Sequence, residues 1–129
     1  MKVQMFTLFF TLVCLVNSRP NSSYTIKYDN VNLDQILKSD RLMMNYINCV
    51  LDKGKCTSDG AELKRVLPDA LKSDCSKCSE KQREGSLKVL RHLVKNKRNW
   101  FDELITKYDP QGAYRAKYKE EYKKEGIVL

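Results

Sequence analysis

From residue 33 onward, apolar side chains recur at intervals of three and four, and that spacing limits what the chain can fold into. The run containing Leu42, Met43, Tyr46, Ile47, Val50 and Leu51 places all six on one face of an α-helix and scatters them across both faces of a strand. Leu63, Val66, Leu67, Ala70 and Leu71 repeat the pattern, as do Leu87, Leu90, Leu93 and Val94, then Trp100, Phe101, Leu104, Ile105 and Tyr108. A shorter stripe (Leu33, Ile36, Leu37) precedes them, and Tyr114, Tyr118 and Tyr122 follow at steps of four. Only three prolines and five glycines interrupt 129 residues, and the dipeptides that mark β-hairpins are absent. The expectation is an all-α domain of about six amphipathic helices.

Local signals set the expected ends of these helices. Asn32 or Asn30 caps the first, and Ser39 or Asp40 the second, which Gly54 ends. Asp59 and Glu62 read as a capping box for the third, with Pro68 as a kink or restart. Ser76 or Ser79 starts the fourth, "KNKRN" breaks it, and Asp109-Pro110 stops the fifth.

The opening "MKVQMFTLFFTLVCLVNSRP" has one early lysine, a short apolar centre and a small residue ahead of Arg19. This is the pattern of a secretory signal over residues 1–18, and the run is too short for a membrane span. Residues 19–129 then form a single secreted, extracellular domain without a transmembrane segment. Asn21-Ser22-Ser23 fits a glycosylation sequon.

Removing the leader takes Cys14 away and leaves Cys49, Cys56, Cys75 and Cys78. An even set in a short secreted chain reads as a disulfide framework. Six residues separate Cys49 from Cys56, wider than a structural zinc pair, and the lone His92 adds no nearby second ligand type, so no metal is expected. Four cysteines allow three pairings, which sequence alone does not choose among. Local geometry leans towards 49–56, around a turn at Gly54, and 75–78, on one side of a first helical turn.

Catalysis has little to work with: one histidine, no nucleophile motif and carboxylates interspersed with lysines. No enzyme activity and no cofactor are expected. The formal net charge is +8, or one less without Lys2, and Lys77, Lys81, Arg83, Lys88, Arg91, Lys95, Lys97 and Arg98 crowd one segment against Glu80 and Glu84. A solvated basic face explains this, and an anionic polymer or a receptor is the competing reading. Secretion disfavours nucleic acid.

The segments "YTIKYDNVNLDQILKSDRLMMNYINC", "GKCTSDGAELKRVLPDAL", "CSKCSEKQREG" and "KYDPQGAYRAKY", with six, eighteen and two residues between successive cysteines, closely resemble the chemosensory proteins of insects and other arthropods. The resemblance spans about Tyr24 to Val128. It implies six helices around an apolar channel, disulfides between neighbouring cysteines, and reversible binding of long-chain lipophiles such as fatty acids, esters and semiochemicals, as a monomer. Positions that match ligand-facing ones in that family are Tyr28, Tyr46, Leu63, Val66, Gln82, Val89, Trp100 and Phe101. The family often has tryptophan eight residues before the aspartate of "KYDP", where this chain has Phe101 beside Trp100. Either ring is then a candidate to face the channel.

Overall fold

The computed structural model describes residues 23–129, so the leader expected over 1–18 and the Asn21 sequon lie outside the described residues. Within them every regular element is an α-helix: α1 (Leu33–Leu37), α2 (Asp40–Val50), α3 (Ser58–Ser73), α4 (Glu80–Asn96), α5 (Arg98–Tyr108) and α6 (Ala113–Lys124). The periodicity is borne out, helix by helix. α2 packs on α1 and α3, and α4 packs on α1 and α5. α1 lies so near α4 that a methyl on Gly85 would stand 2.8 Å from Leu33 Cδ1.

The caps follow ordinary chemistry at positions the sequence partly misassigned. Asn32 accepts the Gln35 amide at 3.1 Å, and Ser39 accepts that of Leu42 at 3.2 Å. Thr57, not Asp59, caps α3. The earlier start puts Gly60 at the third helical position, which has no side chain to complete a box; Glu62 pairs with Arg65 instead. The reciprocal capping box belongs to α4, between Ser79 and Gln82. α3 runs unbroken through Pro68, so the proline does not restart it. It sits on the exposed side, where water can satisfy the carbonyl that its missing N–H leaves open.

Both disulfides join neighbours, Cys49–Cys56 and Cys75–Cys78, with Cα separations of 4.9 and 5.1 Å. Their surroundings differ from expectation. α2 turns back at Asp52, not Gly54: Asp52 is left-handed (φ 62°), while the Asp52 and Lys53 amides donate to the Cys49 and Asn48 carbonyls. Lys64 and Lys107 both bind the Asp52 carboxylate, and their hydrogen bonds hold its pKa down to about 2. The second loop lies ahead of α4, between the left-handed pair Asp74 and Cys75 and the Ser79 cap, not within the first helical turn.

The best-withdrawn cluster is Met43 and Ile47 of α2, Leu93 of α4 and Phe101 of α5. Tyr118 of α6 is buried elsewhere, its hydroxyl donating to the Leu71 carbonyl of α3 at 2.5 Å. Most other stripe residues, including Leu42, Leu67, Leu71, Leu87 and Leu104, are only half-buried.

Candidate ligand-binding interior

Three of the eight expected ligand-facing residues converge. Val89 and Trp100 pack against the Met43–Ile47–Leu93–Phe101 cluster, and Phe101 is a member of it. Of the two adjacent rings, Phe101 is the one turned inward, at 4 % exposure. Trp100 stays half-buried at the edge, with the Lys97 ammonium 5.2 Å from its ring centroid.

The other five are dispersed. Tyr46 is half-buried on α2, and its hydroxyl donates to Asp59 at the start of α3. Burial, then the bond to Asp59 and its charge, push the Tyr46 pKa up to about 12. Burial opposes ionisation of Asp59, but bonds from Thr57, Tyr46 and the Gly60 amide outweigh it and hold the carboxyl low. Gln82 is taken up by structure: its oxygen accepts the Ser79 amide, and its nitrogen donates to the Thr25 carbonyl and Asp29, both at 2.8 Å. Val66 forms the apolar wall of a cleft of about 290 Å³, otherwise lined by Ser23, Tyr24, Thr25, Arg65, Asp69 and Lys77. Leu63 is 43 % exposed on the outside of α3. Tyr28 is half-buried in the arm, beneath the Lys27 ammonium, and its hydroxyl makes no hydrogen bond among the described residues.

Some interior residues were not singled out from sequence. Met43, Ile47 and Leu93 stood on the apolar stripes, but periodicity does not say which stripe residue reaches the centre. Ile127 and Leu129 lay beyond the last stripe; "GIVL" after a helix is the signal for a left-handed glycine followed by an inward apolar residue.

Five of the eight cations in the basic segment have carboxylate partners. Lys77 pairs with Asp69, Arg83 with Asp74, Lys88 with Asp34, Lys97 with Asp40 and Arg98 with Asp102. Arg91 and Lys81 bind the Glu125 carbonyl and the Asn30 side chain. No group of three potential metal ligands occurs among the described residues. His92 is half-buried on α4, its Nδ1 3.2 Å from Asn96 and its Nε2 enclosed without a partner. No described helix is long and apolar enough to cross a membrane.

Six helices, two local disulfide loops and aromatic and branched side chains gathered at a half-closed centre define a small helical domain with an apolar interior. The chain belongs to the insect pheromone-binding family A10/OS-D, whose model matches residues 24–116. It is 50% identical over 115 residues to ejaculatory bulb-specific protein 3 of Drosophila melanogaster, covering 89% of this chain and 91% of that one. Among solved structures it is similar to a chemosensory protein in complex with bromo-dodecanol, at 48% identity and a TM-score of 0.72 over 77% of this chain and 99% of that one. It is also similar to antennal chemosensory protein A6 from the moth Mamestra brassicae, at 46% identity and a TM-score of 0.64, covering 77% and 97%. The resemblance carried by the cysteine spacing and the four segments is thereby confirmed.

Proposed function

We propose that this chain is a secreted, monomeric, non-catalytic carrier that reversibly holds long-chain lipophiles between its helices: fatty acids, esters and semiochemicals. The observation that carries the reading is the convergence of Val89, Trp100 and Phe101 on one apolar cluster while the neighbouring stripe residues stay half-buried. Helices that closed fully on one another would withdraw those stripes. The bromo-dodecanol held by a relative of 48% identity supports the same reading.

An alkyl chain entering such an interior gains about 0.8 kcal/mol per CH₂ removed from water. Ten methylenes then contribute about 8 kcal/mol, against an association cost of about 4 kcal/mol or more. Affinity therefore rests on chain length, rising about fourfold per methylene until the space is filled. Tyr28 is the head-group contact in this reading, whereas Tyr46 and Gln82 hold α3 and the arm in place. The competing reading, in which the basic face engages an anionic polymer or receptor, loses support because five of its eight cations already have carboxylate partners.

The test is competition. An apolar fluorescent naphthylamine is loaded and displaced by C12–C18 acids, alcohols and methyl esters at low and high salt. Saturable uptake, with displacement by alcohols and esters that strengthens with chain length and ignores salt, is the expected result. A folded protein that takes up no probe would overturn the carrier reading.

A further inference from the structure

The segment after α6 is held in place by backbone and side-chain contacts. Gly126 is left-handed (φ 76°), its amide donates to Lys123 at 3.0 Å, and the Ile127 amide donates to Tyr122 at 2.9 Å. These two bonds end α6 and turn the chain inward. Beyond the turn the side chains alternate. Ile127 is 1% exposed, Val128 is 70% exposed, and Leu129 packs against the Met43–Ile47–Leu93–Phe101 cluster. Two arginines hold the backbone of this segment. Arg91 of α4 donates to the Glu125 carbonyl at 3.1 and 3.4 Å, and Arg98 at the start of α5 donates to the Val128 carbonyl at 3.2 Å. Arg98 is itself steadied by Asp102 at 3.5 Å and by the Phe101 ring, whose centroid lies 5.1 Å from the guanidinium carbon.

We propose that residues 126–129 form a strap that closes the α4–α5 end of the apolar interior and must lift before a bound lipophile leaves. The inference rests on the carrier reading above. Leu129 shares its cluster with Val89, Trp100 and Phe101, so an alkyl chain lying against those residues lies against the strap as well. The fastenings suit an element that opens. Both arginine clamps are exposed, and a methyl placed on Gly126 would meet nothing within 4 Å, so there is open space at the hinge. Lifting the strap breaks two clamps and withdraws two side chains while leaving all six helices in register. Arg91, Arg98, Ile127 and Leu129 thus set how long cargo is retained.

The experiment is stopped-flow release of the preloaded naphthylamine from the wild-type protein, from the double variant Arg91→Gln/Arg98→Gln and from Ile127→Ser. The expected result is release at least about fivefold faster in both variants, with the helical circular-dichroism signal unchanged, because each clamp is a hydrogen bond from a charged donor. Should Ile127→Ser fail to fold, the arginine variant decides alone. Release at the wild-type rate from the folded variants would overturn the strap and leave the carrier reading standing. Failure of the wild-type protein to take up the probe would overturn the carrier reading and the strap with it.

Discussion

Asp109 shows how much one side chain can organise. It ends α5, stands before Pro110, and its carboxylate accepts the Tyr114 and Arg115 amides and the Arg115 guanidinium, each at 3.0 Å. It is 6% exposed, the one buried charged residue among those described. Burial raises the carboxyl's pKa, but the two amides and the guanidinium outweigh that and hold it below the usual range. A carboxyl depressed in the folded state stabilises the protein fully above its unfolded value of about 3.9 and loses that contribution as pH falls through its folded value. Asp109→Ala strands α6's first amides and the partly covered guanidinium, at a cost of about 2 kcal/mol. Guanidinium denaturation at pH 7 and pH 3 checks both points: the variant is weaker at pH 7, and the gap between it and wild type narrows in acid. An equal gap at both values would count against the assigned role.

The N-terminal arm and α4 act as one element. Ser79 caps α4 by accepting the Gln82 amide, donates its hydroxyl to Asp29 at 2.9 Å and its own amide to the Gln82 side-chain oxygen, while the Gln82 nitrogen grips Thr25 and Asp29. Tyr24 extends the attachment to α3 through Asp69 at 2.5 Å and to the second disulfide loop through the Lys77 carbonyl at 3.1 Å. Gln82→Ala is expected to release the arm. Amide exchange should accelerate over residues 24–31 and the first turn of α4, with a stability loss of about 1 kcal/mol and little change in α5 or α6. Exchange confined to wild-type rates in the arm would show that Tyr24, Ser79 and Lys81 hold it without Gln82. Ser79 was legible as one of two caps because serine before an apolar-periodic run is a local signal. The grip of Gln82 on the arm was not, because it joins residues 57 and 53 positions apart.

At the scale of the whole molecule, the carboxylates are spread into ion pairs between helices and loops, while the net charge of +8 remains as an excess of cations. Asp34–Lys88 and Asp40–Lys97 link α1 and α2 to α4 and its C-terminal cap, while Asp52 joins Lys64 of α3 to Lys107 of α5. Exposed pairs of this kind contribute little stability each, but they engage five of the eight cations of residues 77–98 and break up the basic face that a polymer would need. Retention on a heparin column is therefore expected to be weak and abolished near 0.15 M salt, where screening acts over about 8 Å. Elution only at several-fold higher salt would restore the basic-face reading.

The number of helices and their approximate extents were legible in the chain, and local geometry leaned towards the pairing of neighbouring cysteines, because each depends on residues within a turn or a short loop of one another. Phe101 and Trp100 were equally visible there, and so were Val89 and Leu63. Only packing turned Phe101 and Val89 to the centre and left Leu63 outside on α3. The same holds at the ends of elements. Asp52 takes the left-handed turn expected of glycine, and Lys64 and Lys107 reach its carboxylate from two other helices. The turn at "GIVL" is a local signal, but what it packs against appears only when Arg91, Arg98 and the Leu93–Phe101 cluster are brought beside it. Local spacing by itself determined the helices. Which faces meet, and therefore what the interior can hold, was decided by contacts between residues far apart in the chain.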